Sequence, residues 1–362
     1  ALGVPMSLDG VAHLAGKNVA VTGAGNGIGR AIALACAAEG ANVVVADYGV
    51  SIEGSDPSSD VADAVVAEIV SAGGTAIAVA GDVSQMEVGQ RIVDTALEAW
   101  GSIDGVVCVA GIVRERMLFN MSEDEFDHVV GVHLKGHFTL YKAAAAVMRK
   151  QETGGSLVGF TSGAFVASTA QANYSAAKGG IVSLTRSAAF ALRKYGVNAN
   201  CIAPAAMTRM SENVPFEIEA GSPEAIAPLA VWLMSDPARD VTAQIYTCTG
   251  KRIAVWNQPA EIRHMWADDG ASFSVDEIAE KLPATIGDEE MPMFADLERR
   301  MKEMAQAKEQ ADLDRENRDK EMLRINKKMM METNKAMADA KAKRDAAQDA
   351  KDSIYATRFR RE

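Results

Sequence analysis

Apolar and polar positions along the first 256 residues repeat one arrangement. Short runs apolar on both faces lie at 19–21, 42–46, 75–80, 105–109, 157–160 and 197–202. Between them come longer stretches with helical spacing, at 30–39, 61–72, 84–100, 122–150 and 172–195, with a further helix at 223–235. Strands buried on both faces and alternating with helices predict a parallel sheet covered by helices, a doubly wound, Rossmann-type α/β layer. Ser84 with Glu87 and Ser122 with Glu125 have the spacing of capping boxes and should open their helices. Runs at 241–249 and 251–255 flank Gly250 and read as closing strands that extend the sheet.

The pattern then changes. Residues 257–293 carry turn and helix signals and are expected to pack on the first domain as a C-terminal extension. From 294 to 362 there is neither glycine nor proline, and charged residues, alanine and methionine dominate, which is helix composition. Leu297, Met301 and Met304 form one apolar stripe, and Met322, Ile325 and Met329 another. The stripe lapses between 308 and 319, so a long regular coiled coil is not expected. A solvated helix, a helix docked on a neighbouring subunit, and an anion contact through the basic end at 358–361 stay open as readings of this tail.

Charge divides at the same place. The chain carries −12 overall; residues 296–362 hold 18 basic and 15 acidic side chains, leaving the rest at −15. An acidic body argues against nucleic acid as a partner. Cys36, Cys108, Cys201 and Cys248 lie singly, without a CxxC pair, so neither a disulfide framework nor a metal site is expected. No apolar run reaches membrane-spanning length and the first twenty residues lack a secretory pattern, which points to a cytoplasmic protein without membrane contact.

Candidate chemistry collects at the ends of the predicted strands, where doubly wound sheets place their sites. After 19–21 comes T-G-A-G-N-G-I-G, Thr22 to Gly29, in which Gly23 and Gly27 permit a tight turn and Gly29 lets the helix pack on the strand. Strand, glycine turn, helix is the arrangement in which backbone N–H groups face a pyrophosphate. Asp47 closes the second strand, placed to bond adenosine ribose hydroxyls and to repel a 2′-phosphate; no basic residue follows in Tyr48-Gly49-Val50, which favours NAD over NADP. Asp82, in G-D-V, could meet the adenine amino group. Ser162 follows the fifth strand, and Tyr174 and Lys178 share a helix face four residues apart. A cation beside a phenol lowers its pKa toward working pH, so this tyrosine could pass a proton to or from an alcohol or ketone.

Together these motifs resemble the short-chain dehydrogenase/reductase family across roughly residues 14–256. The matches are the glycine turn, Asp47, G-D-V, Ala110-Gly111, Ser162, Y-S-A-A-K and Ile202-Ala203-Pro204. The resemblance implies hydride transfer between NAD and a secondary alcohol or ketone. Tyr174 would be the acid/base, Lys178 would bind the nicotinamide ribose and depress the phenol, and Ser162 would orient the substrate. It further implies cofactor contacts at Gly23, Asn26, Gly27, Ile28, Gly29, Asp47, Asp82, Val83, Ala110, Gly111, Pro204 and Thr208. The branch resembled includes dehydrogenase domains of multifunctional β-oxidation enzymes and steroid dehydrogenases, and family members are usually homodimers or homotetramers.

The chain departs from the family pattern in places. Cys108-Val109 stands where two asparagines are usual, and His133 stands where the family's fourth catalytic residue is an asparagine that holds a relay water through its backbone carbonyl. His133 could serve through backbone or ring. Family spacing to the tyrosine would also admit Thr161 in place of Ser162. Only residues 205–221 are left for a lid over the substrate, which suits a bulky substrate such as a hydroxyacyl-coenzyme A thioester, with a steroid or cyclic alcohol as the alternative; Met207, Met210, Val214 and Phe216 supply apolar surface there. A nucleotide-sensing scaffold acting through its tail is the reading from another class, motivated by Val109 and His133.

Overall fold

The computed structural model describes residues 12–50, 58–166, 168–205, 221–249, 251–256, 278, 280–281 and 292–358. The chain forms two compact units, Ala1–Pro259 and Ala260–Glu362. The first is built on one eight-stranded sheet: β1 (Asn18–Thr22), β2 (Asn42–Asp47), β3 (Thr75–Ala80), β4 (Gly105–Cys108), β5 (Gly155–Phe160), β6 (Val197–Pro204), β7 (Ile245–Cys248) and β8 (Ile253–Val255). The strands lie in the order β3-β2-β1-β4-β5-β6-β7-β8. Seven are parallel, as their two-sided apolar runs require; β8 instead turns back antiparallel on β7, with Tyr246 opposite Val255.

Helices α1 (Gly27–Ala38), α2 (Asp60–Ser71) and α7 (Pro223–Met234) bury Ile32, Val65, Ile226 and Leu233 against one face. Helices α3 (Met86–Trp100), α5 (Gly136–Met148) and α6 (Ala172–Leu192) bury Ile92, Leu140 and Ala189 against the other. Each fully buried Leu or Ile contributes roughly 1.5–3 kcal/mol, so the two helix layers hold the sheet between them. Order reverses between β1 and β4, and at that switch point the strand ends open a cleft.

Two local expectations are corrected. Ser84 does not cap α3: its N–H and hydroxyl both go to the Asp82 carboxylate, and the helix begins two residues later behind Gln85. The 122–150 helix is not uniform. Ser122 and Glu125 do close a capping box on α4 (Glu123–Val130), but a π-turn at Gly131–Lys135 joins it to α5. Such turns recur at functional sites.

The described part of the second unit is dominated by α8, Pro292–Arg358. The lapse in its apolar stripe does not interrupt it, because residues 294–358 contain no helix breaker and Met322, Ile325 and Met337 are exposed in any case. Residues 257–277, 279, 282–291 and 359–362, which hold most of the 257–293 extension and of the basic end, lie outside the described residues.

Candidate active site

β1 delivers Thr22 to the cleft, and the glycine turn follows at once. Gly23 and Gly27 take positive φ, +65° and +53°, which side chains disfavour. Gly23 also lies so close to the next turn that an added Cβ would sit 2.7 Å from the Ala110 nitrogen, and one on Gly29 would fall on the Gly23 carbonyl oxygen. The Thr22 hydroxyl accepts the Val109 N–H at 3.2 Å, so the turns after β1 and β4 are tied together. α1 opens with no acidic residue in its first turn, and Asn26 makes no side-chain cap. Its first backbone N–H groups therefore face the cleft without an intrachain anion, which suits a pyrophosphate.

Asp47 ends β2 with both carboxylate oxygens engaged by backbone: Gly25 N–H at 2.8 Å and Gly49 N–H at 2.6 Å. The carboxylate is thereby held at the rim of the same cleft, beside Tyr48 and Val50. Asp82 also lines the cleft, although Ser84 engages its carboxylate. Gly23, Asn26, Gly27, Ile28 and Gly29 form one wall, Val83, Ala110 and Gly111 the next, and Pro204 the far end of a cavity of about 330 Å³. Thr208, with Met207, Met210, Val214 and Phe216, lies outside the described residues.

The other end of the cleft is made of buried side chains. Lys178 is 3% exposed; its Nζ donates to the Phe160 carbonyl at 2.6 Å and stands 5.3 Å from the centre of the Tyr174 ring. Burial pushes the ammonium from 10.5 down to about 7. Tyr174 is half-buried, and loss of water around the phenol raises its pKa, opposed by a hydrogen bond with Ser162. The expected lowering by the lysine is thus not what this structure shows: Lys178 is turned to a backbone carbonyl and has itself lost much of its preference for the charged form. Ser162 Oγ accepts the Ala164 N–H at 3.2 Å and keeps its own hydrogen to donate. Thr161 is committed elsewhere, its hydroxyl donating to the Lys178 carbonyl at 2.9 Å. Of the two candidates, Ser162 is the one aimed at the phenol.

His133 is buried in the π-turn and packs edge-on against Tyr174, ring centres 5.1 Å apart. Its Nε2 faces both backbone groups of Ile112, 2.8 Å from the carbonyl and 3.2 Å from the N–H, donating to the one or accepting from the other according to tautomer; Nδ1 is buried without a partner. Burial and the nearby Lys178 hold the ring far below its usual pKa, hence neutral. The ring also fills the space a side chain at Gly111 would need. Sequence reasoning missed Asn173, which is fully buried: Nδ2 donates to the carbonyls of Arg114 and Glu125 while Oδ1 accepts the Tyr174 N–H at 2.8 Å. A polar residue directly before the tyrosine at a helix start was the available signal.

A family model described as enoyl-(acyl carrier protein) reductase matches residues 23–250. The fold superposes on a short chain dehydrogenase from Mycobacterium avium with a TM-score of 0.69 and 42% identity, over 77% of this chain and 98% of that one. The chain belongs to the short-chain dehydrogenase/reductase family. A short-chain dehydrogenase/reductase is an oxidoreductase that works with a nicotinamide cofactor on a small molecule. The cleft fits such a cofactor, with an uncapped helix N-terminus at one end and a lysine and tyrosine at the other. Among curated relatives, the hydroxyacyl-CoA dehydrogenase ChsB1 of Mycobacterium tuberculosis is 41% identical over 285 residues, 74% of this chain and 88% of that protein. Peroxisomal multifunctional enzyme type 2 of Mus musculus is 43% identical over 62% of this chain but only 30% of that protein. No helix of the described residues is long and apolar enough to cross a membrane.

Proposed function

We propose that this dehydrogenase oxidises a secondary alcohol with NAD, or runs the reverse reduction, on a bulky substrate such as a hydroxyacyl-coenzyme A thioester. The observation that carries the reading is that Ser162, Tyr174 and Lys178 gather at one end of a cleft whose other end is closed by the Asp47 carboxylate. The names of the relatives support the substrate class. A carboxylate at the end of β2 disfavours a 2′-phosphate, which supports NAD. A nicotinamide held in the cleft would supply the hydride acceptor or donor. Tyr174 moves the hydroxyl proton, Ser162 donates a hydrogen bond to the same oxygen, and the Lys178 ammonium offsets the charge of the phenolate. His133, neutral and hydrogen-bonded through Nε2 to the Ile112 backbone, keeps the loop after Ala110-Gly111 in place instead of transferring the proton.

Tyr174→Phe should lower NAD reduction by at least ~10³-fold with NAD affinity unchanged. The assay is a panel of hydroxyacyl-coenzyme A esters, steroids and cyclic alcohols, and near-normal turnover by the variant sinks the assignment. A steroid or cyclic alcohol as the best substrate would correct the class while leaving the chemistry. We also propose a homodimer or homotetramer, supported by exposed Leu118, Phe119 and Phe190, to be checked by light scattering.

A further inference from the structure

His137 takes no part in the proton transfer above, yet it is 1% exposed on the first turn of α5 and touches three separate segments. Nδ1 lies 2.6 Å from the His133 carbonyl one turn earlier, Nε2 takes the Phe160 N–H at 3.1 Å, and the ring also meets the Cys108 backbone. A carbonyl only accepts and an N–H only donates, so the ring carries its proton on Nδ1 and keeps a lone pair on Nε2. Burial and the charge of Lys178 push its pKa down to about 3, which keeps that neutral form across working pH.

Phe160 is therefore held on both sides of its Cα. Its N–H is taken by His137 and its carbonyl receives the Lys178 ammonium, while the N–H of the following peptide, that of Thr161, goes to the Ile202 carbonyl. We propose that His137 is a positioning residue: by bridging the π-turn to the Phe160 N–H, it fixes the residue whose carbonyl holds Lys178 over the Tyr174 ring. The proposal rests on the reading of Lys178 as the partner of Tyr174. It explains why an imidazole is needed, because the bridge requires a donor near Cβ and an acceptor farther out on one rigid ring. Asparagine can offer only the first and glutamine only the second.

That split supplies the test, on the full chain carrying His137→Leu, His137→Asn or His137→Gln. The first readout needs no turnover: the Lys178 titration followed by NMR on lysine labelled with ¹³C at Cε. Cys201, His133 and Tyr174 also face Lys178 and are common to all variants. The wild type should titrate near 7, His137→Leu and His137→Asn about a unit or more higher as the ammonium swings toward water, and His137→Gln close to wild type. In turnover, His137→Leu and His137→Asn should lose ~10²-fold in kcat, His137→Gln less than about fivefold, all with NAD affinity within about threefold. An unmoved lysine titration in every variant overturns the proposal. So do equal kcat losses in His137→Asn and His137→Gln that follow Tm, and that pair decides even if His137→Leu does not fold. If the wild type oxidises none of the alcohols while His137→Leu still shifts the titration, the bridge stands and the dehydrogenase reading fails.

Discussion

The two ends of the cleft solve different problems with different parts. The nucleotide end is almost entirely backbone: glycines at positive φ, the N-terminus of α1, and one carboxylate fixed by two N–H groups. The catalytic end is side chain, with Lys178, His133, His137, Asn173 and Thr161 all taken out of water. Backbone donors exist in every chain and need only glycine to bring them to a ligand. An ionisable side chain costs free energy to bury, and Lys178, His133 and His137 each bond backbone from another element, leaving only the His133 Nδ1 among their nitrogens without a partner. One end is therefore cheap to build and visible locally, whereas the other is costly and assembled from afar.

Breaking the catalytic end should have the largest effect. Lys178→Met is expected to lower kcat by ~10³-fold or more. The same variant should also separate function from stability. Because burial lowers the ammonium from 10.5 to about 7, the unfolded chain binds the extra proton between those values. Wild-type stability therefore rises with pH across that window, and the cost of the buried charge is complete below pH 7. Lys178→Met removes this dependence. It should be more stable than wild type at pH 6 by on the order of a few kcal/mol, less ~1–3 kcal/mol for the orphaned Phe160 carbonyl, with the difference shrinking toward pH 10. Thermal melts at pH 6 and pH 10 check this; a variant that melts lower than wild type at pH 6, by the same margin as at pH 10, contradicts it.

The nucleotide end should break through packing instead. A methyl at Gly29 meets the Gly23 carbonyl, and α1 cannot retreat without giving up Ile32 and its neighbours. Gly29→Ala should cost about 1–3 kcal/mol and weaken NAD binding by about tenfold or more, with kcat at saturating NAD little changed. Calorimetric binding together with saturation kinetics distinguishes this from damage at the other end; a lowered kcat at full saturation would argue that the two ends are not separable.

The same contrast governs what the sequence discloses. The parallel strands, the glycine turn, Asp47 and the Ser122–Glu125 capping box are local patterns, and each appears in the structure where periodicity or spacing puts it. The start of α3 was misread because Asp82, two residues before Ser84, competes for the same donors. β8 was legible as a strand, but its direction depends on a return turn that alternation does not encode. The raised phenol and lowered ammonium were not legible at all. They depend on burial by the loop after β4, the π-turn, β5 and α6 together, and a Y-x-x-x-K spacing carries none of that. Nor was the role of His137 legible, for the same reason, since its partner Phe160 is 23 residues away.

The smallest effect should come from the one side chain on which the nucleotide end relies. Asp47→Asn keeps a single carbonyl oxygen where the carboxylate now accepts from both Gly25 and Gly49, so one of those N–H groups loses its partner. The loop shifts slightly and the negative charge disappears. NAD affinity should fall about tenfold, NADP affinity should rise, and kcat with NAD should hold, because nothing at the lysine end has moved. Paired titrations with the two cofactors read the ratio. If it stays put, the Asp47 charge sets no preference between the two cofactors, and the nucleotide end is a purely main-chain device.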